Sequence, residues 1–184
     1  KKYGGDLAIG AFGIVNRLVF IVVMIVMGLN QGMQPIAGYN FGAKLYGRVN
    51  KVLKLTIIYA TAVTTFGFLV GMLVPDLVVG IFTSDAELTE LSVTGLRITV
   101  MFFPIIGFQM VTSNFFQSIG MAGKAIFLSL TRQMLILLPC LLILPQFFGV
   151  AGVWYSMPVS DLLASLIALV MLVCQFRKFR TSPL

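Results

Sequence analysis

The sequence predicts an all-α membrane protein, a polytopic bundle of five transmembrane helices with its N-terminus outside and its C-terminus inside. Three observations carry this. First, 59% of the 184 residues are hydrophobic and only 10% charged, with mean hydropathy +1.02. A soluble domain carries about a quarter charged residues, so there is too little polar surface here to cover a globule in water. Second, five stretches approach the ~20 predominantly apolar residues that a spanning helix needs. Third, the gaps between them are rich in Gly, Pro and polar residues, and their Lys and Arg collect on one side.

The first span covers 7–29 and is interrupted by Asn16 and Arg17. Arg17 lies at mid-membrane if the helix begins near Leu7 and at the outer surface if it begins near Leu18; both starts remain open. The run leads straight into GLNQGMQPIAGYNFGAK, residues 28–44, which carries Gln31, Gln34, Pro35 and Asn40. Pro35 removes a backbone donor and biases Gln34 away from helical geometry. Buried amides cost free energy unless they are hydrogen-bonded. This stretch reads either as a loop or as the mouth of a polar pathway.

The second span, 55–74, holds no charge. The third, 98–117, is also uncharged and is broken by Pro104. Its amides Gln109, Asn114 and Gln117 recur at spacings of five and three, nearly one helical face. Bonding between helices and lining of a pathway both suit them. The fourth span, 125–144, contains Arg132 and Pro139; the fifth, 150–173, contains Pro158 and Asp161. With Pro35, Pro104, Pro139, Pro145 and Pro158 near or within spans, several helices are expected to bend, as suits a transporter that rearranges around its substrate.

Lys44, Arg48, Lys51, Lys54, Lys124, Arg177, Lys178 and Arg180, eight of the 13 basic residues, fall on one side with no acid. Lys1 and Lys2 fall on the other side with Asp6, Asp76, Asp85, Glu87 and Glu90, five of the six acids. The positive-inside rule makes the first side cytoplasmic. An odd number of spans with an exterior start implies at least one preceding helix and hence a fragment.

Charges inside spans are expensive and usually face a bundle interior or a wet cavity. Asp161 is the sharpest case, near mid-membrane and too short to reach either surface. It reads as the partner of an Arg on a neighbouring helix, or as a protonatable or cation-coordinating group. Arg132, about 12 Å deep at helical rise, suits a cavity lining or a side chain reaching the cytoplasmic face. Arg97 starts the third span and can snorkel outward.

Other features read blandly. Gly28/Gly32, Gly38/Gly42 and Gly67/Gly71 have GxxxG spacing and are expected to pack helices closely. Cys140 and Cys174, inside apolar runs, read as small buried hydrophobes and not as a disulfide or metal pair. There is no His, no GxSxG and no phosphate-binding Gly-rich loop, so neither an enzyme nor a metal site is expected. The sequence pI near 9.7 is explained by cytoplasmic loops; nucleic acid is not expected, because the basic residues do not alternate with exposed aromatics on a polar face.

Four segments taken in order, YGGDLAIGAFGIVNRLVF, GLNQGMQPIAGYNFGAK, FFPIIGFQMVTSNFFQSIGMAGKA and LSLTRQMLILLPCLLILPQFFGVAGVWYSMPVSD, resemble the C-terminal lobe of the MATE (multidrug and toxin extrusion) transporters. The resemblance runs over nearly the whole chain. It implies helices eight to twelve of a twelve-helix, two-lobed fold, preceded by helix seven and an N-terminal lobe. It implies a bacterial inner-membrane antiporter that exports organic cations and amphipathic drugs against H⁺ or Na⁺, with no cofactor beyond the coupling ion. The partners it implies are the lipid bilayer, those drugs and the N-terminal lobe. It also implies that Gln34–Pro35 and the following GYNFG close the eighth helix and form its cytoplasmic turn.

Some MATE branches place a coupling acid on helix ten, but 98–117 has no carboxylate. The acid is then expected in the N-terminal lobe, with Asp161 the one candidate on this chain. The expected pathway residues are Gln34, Pro35, Asn40, Gln109, Asn114, Gln117, Arg132 and Asp161, with Asn16, Arg17 and Arg97 as structural or cavity groups. A lipid-linked saccharide flippase is the alternative if Arg17, Arg97 and Arg132 all face one cleft. A non-transporting assembly protein is the other.

Overall fold

Long apolar runs build helices in spite of their prolines and glycines in the structure, a computed structural model that describes residues 5–181 and the side chains as far as Arg177. Lys1 and Lys2 lie outside the described residues, and the side chains of Lys178 and Arg180 lie outside the described side chains.

Helix α1, Asp6–Gly42, runs for 37 residues. Asp6 in its first turn complements the positive end of the helix dipole. The helix thus takes the earlier of the two starts, near Leu7. The predicted end is corrected: Pro35 lies inside the helix, and neither Gln34–Pro35 nor GYNFG forms the turn. A proline removes only the bond to the carbonyl four residues back, and membrane helices absorb that loss. The chain reverses at Ala43–Leu45, where Lys44 takes φ 57° and the Leu45 amide donates to the Asn40 carbonyl at 2.9 Å. This is the left-handed cap usually given to glycine. The Phe41 and Tyr46 rings meet edge-on across it at 5.8 Å.

Helix α2, Tyr46–Leu73, begins nine residues before the predicted span, because its first turns are basic and lie beyond the apolar run. Helix α3, Pro75–Gly80, is a single short element opened by its proline. Helix α4, Ala86–Val100, is capped by Asp85, whose Oδ1 accepts from the Leu88 amide at 2.9 Å. Helix α5, Phe103–Ser118, follows after a two-residue break, and the pair bends by 54°. The predicted third span therefore covers α5 and only the end of α4; the presumed outer loop holds α3 and the start of α4. Polar residues in its first turns hid α4 from hydropathy, and Pro104, with no N–H for the Val100 carbonyl, explains the break.

Helix α6, Ala122–Leu130, continues through a π-helical segment, Thr131–Leu137, into helix α7, Leu138–Phe148. Pro139 cannot donate to the Leu135 carbonyl, and a wide turn just before it is one way a helix accommodates that gap. Gly149, at φ 59°, supplies the positive φ for the turn into helix α8, Val150–Thr181. Counting the bent pair as one crossing, five segments are long and apolar enough to span a membrane.

Helix α5 is the hub, packed on α1, α2, α6 and α8. One core cluster gathers Met33, Leu53, Val111, Phe115 and Phe116; a second gathers Val15, Leu96, Phe103 and Trp154. Outward, Phe20, Ile25, Phe66, Leu73, Leu135 and Leu142 are exposed, as lipid-facing residues are. The GxxxG expectation holds for one pair: Gly67 meets Val22 and Phe103, and Gly71 meets Val100. It is corrected for Gly28, Gly32 and Gly42, which face open space, while Gly38 alone of its pair touches the Ser118 carbonyl. The tightest α2–α5 crossing is at Gly107, where a Cβ would meet Thr64 Oγ1 at 2.7 Å and the Ala60 carbonyl oxygen at 2.8 Å. The cysteines are free thiols; Cys140 is half-buried and Cys174, against expectation, is exposed on the surface of α8.

Candidate functional site

Helix α8 is held against α4 by a ring on a glycine. The buried Trp154 indole lies over Gly95, and Phe12 of α1 tilts against it with ring centroids 5.7 Å apart. Two turns further along α8 comes Asp161. Pro158 lies between them and leaves the Trp154 carbonyl without its helical donor.

Asp161 is paired across the bundle. Arg132 reaches from the π segment and places both Nε and a terminal nitrogen 2.8 Å from Asp161 Oδ1. The side chain of Asp161 is 7% exposed and that of Arg132 31%. The carboxylate is therefore largely withdrawn from the surface, while part of the guanidinium remains open to it. In an apolar interior this attraction is strong, but it is offset by the cost of removing both charges from water.

Beside the pair lies a cavity of about 200 Å³. Its polar lining comes from Asn16 of α1, Thr99 of α4, Arg132 and Gln133 of the π segment, and Ser160 and Asp161 of α8. Phe12, Phe103, Leu137 and Met157 supply apolar walls. The Thr99 hydroxyl donates to the Gly95 carbonyl and that of Ser160 to the Met157 carbonyl, both at 2.8 Å. Both hydroxyls keep acceptor capacity. A cation of moderate size entering here would meet a carboxylate, several oxygen acceptors and aromatic faces.

Of the residues singled out from sequence, the structure brings together Asn16, Arg132 and Asp161. Arg17 and Arg97 are exposed and do not line this cavity. Of the three arginines, then, Arg132 alone lines this cavity. Gln34, Pro35 and Gln117 are exposed and away from it. Asn40 is buried and donates to the Ile36 carbonyl at 2.8 Å, within its own helix. Gln109 is buried, Asn114 half-buried and Gln117 exposed, so the three amides on α5 do not share one environment.

Sequence reasoning missed Thr99, Gln133 and Ser160. Gln133 follows Arg132 directly, and neighbours on an α-helix point in different directions. A π turn holds more residues, so the two sit closer in angle and both reach the cavity. It also missed Asn30, buried on α1 between Val26 and Met33. The side-chain oxygens of Asn30, Asn40 and Asn114 are buried with no hydrogen-bond donor among the described residues. Those same residues hold no cluster of three or more His, Cys, Asp or Glu side chains suited to a metal ion.

Known proteins resemble this chain in both sequence and arrangement of helices. The MatE family model matches residues 1–143. The multidrug export protein MepA of Staphylococcus aureus strain MSSA476 is 29% identical over 165 residues, covering 90% of this chain and 36% of MepA. MepA of Staphylococcus saprophyticus is 24% identical over the same length. Among solved structures, the MATE multidrug transporter DinF-BH is 37% identical with a TM-score of 0.85, covering 98% of this chain and 40% of that one. The Vibrio cholerae MATE transporter VcmN in its bent form shares the fold at 20% identity and a TM-score of 0.85, over 95% of this chain and 40% of that one. The chain thus spans 36% of MepA and 40% of DinF-BH.

Proposed function

This chain belongs to the MatE family, and on that premise we propose that it forms the C-terminal lobe of an antiporter exporting organic cations and amphipathic drugs across a bacterial inner membrane in exchange for H⁺ or Na⁺. A family of transporters, not of enzymes, is also what the absence of catalytic motifs led one to expect. The relatives' names, multidrug export protein and MATE multidrug transporter, support the drug cargo. The proposal includes a second, N-terminal lobe with which this one encloses a central cleft, and alternating access by rocking of the two.

The observation that carries the reading is the Arg132–Asp161 pair at the edge of a mixed polar and aromatic cavity. One carboxylate serves two kinds of cation there. When Arg132 holds Asp161, the site is charge-neutral and closed. An entering H⁺, Na⁺ or organic cation neutralises the carboxylate in its place, and the released guanidinium then repels a second cation. Exclusive occupancy of one acid by competing cations is the physical basis of exchange. A ligand shifts the equilibrium between two conformations only through its different affinity for each, and the broken or formed ion pair supplies that difference.

The test uses the complete transporter with Asp161→Asn, Arg132→Gln and the double substitution, reading both folded yield and ion-driven dye efflux. Asp161→Asn is expected to leave folded protein that no longer exports. The double variant is expected to recover yield relative to Arg132→Gln without recovering export. Undiminished efflux by Asp161→Asn would discard the assignment. Normal efflux by the double variant would make the pair a structural clasp only.

A further inference from the structure

At the opposite end of the fold from the acidic segments, α2 and α8 both pack on α5 and leave a groove between their ends. It has a volume of about 480 Å³ and is lined by Tyr46, Asn50 and Lys54 of α2 and by Val173, Phe176 and Arg177 of α8. Gly47 lies on the same wall, and a Cβ there would meet nothing within 4 Å, so the groove is open at that point.

We propose that this groove binds the phosphate of an anionic phospholipid headgroup. Its charge is of one sign: Lys54 and Arg177 line it, and no acid occurs between Asp6 and Asp76 or after Asp161. Asp161 itself precedes Val173 by about 18 Å at helical rise. The depth also fits. Past Lys54, α2 has no charged residue to its end, so the cations stand where the apolar stretch gives way to water. Basic pockets between helices at that level suit lipid head groups. Asn50 adds N–H donors for phosphate or glycerol oxygens. Val173 and Phe176 continue the wall into the apolar zone, where the acyl chains would start. The positive end of the α2 dipole, at Tyr46 and Gly47, favours an anion further.

This assignment needs only a membrane-spanning chain and stands independently of drug export. It is tested by native mass spectrometry of the full-length transporter released from nanodiscs of mixed phosphatidylglycerol and phosphatidylcholine. Phosphatidylglycerol should be retained in preference. Lys54→Gln should lower its retention about fivefold, as expected for one cation near an anionic surface. Lys54→Arg should preserve it, and Lys44→Gln, which removes an exposed cation at the same end but outside the groove, should leave it unchanged. Excess glycerol phosphate in water should not displace the lipid. Equal retention by Lys54→Gln overturns the site, as does an equal loss from Lys44→Gln, which would indicate diffuse attraction. Displacement by glycerol phosphate reassigns the groove to a soluble phosphate and also overturns it.

Discussion

Trp154 occupies the space that a side chain at position 95 would need: a Cβ on Gly95 would stand 2.5 Å from Trp154 Cη2 and 2.6 Å from Cζ2. The ring is rigid and buried, so it cannot yield as a flexible chain end would. Gly95→Ala is therefore expected to cost about 1–3 kcal/mol, as overpacking of a tight core does, and to lower the melting temperature of the purified transporter. Combining it with Trp154→Leu should give less than the sum of the two losses, since both act on one contact. Additive losses would show that the two residues do not meet.

The α2–α5 crossing gives a contrast within one residue type. Gly107→Ala drives a methyl against the Ala60 carbonyl, which is backbone and cannot turn aside. Gly28→Ala and Gly32→Ala enter open space. Monodisperse yield in detergent should collapse for Gly107→Ala and hold for the other two. A helical Ala is intrinsically better than Gly, so slight gains at 28 and 32 are expected.

The ion pair should respond asymmetrically, because its partners differ in burial. Arg132→Gln leaves a nearly sealed carboxylate without a cation, a loss of about 3–5 kcal/mol. Asp161→Asn leaves a guanidinium that can still reach water, a loss nearer to about 1–2 kcal/mol. Thermal melts of the two single variants and the double variant check this. The double should be more stable than Arg132→Gln alone, and equal single losses would contradict the burial difference.

Orientation can be read chemically. In a transporter with Cys140 and Cys174 replaced by Ser, Lys44→Cys should react with an impermeant maleimide only in inside-out vesicles. Asp85→Cys should react only in intact cells. The reverse pattern would overturn the N-out, C-in assignment made from the basic residues.

Hydropathy made five candidate crossings legible, counting the bent pair as one, since lipid imposes a minimum apolar length that water-facing loops cannot mimic. Boundaries were less legible, for identifiable reasons. Pro35 looked like a stop but sits inside α1, and the real stop is a lysine with positive φ that no breaker pattern marks. The start of α4 is polar and capped by Asp85, so it resembled a loop. At the site, Asp161 and Arg132 stood out because charges in spans are rare, and their pairing was one of the readings open. Asn30, Thr99 and Ser160 carry no such signal: single polar residues on apolar helices show their surroundings only once the neighbouring helices are in place.

The wide turn at Thr131–Leu137 has a mechanical consequence. Its extra residue can travel along the helix one position at a time, each step exchanging a single carbonyl for its neighbour, so the ladder is never broken as a whole. Every position the defect crosses turns by about 100° around the axis. Arg132 lies within that stretch, so a slide of one residue would turn its side chain away from Asp161.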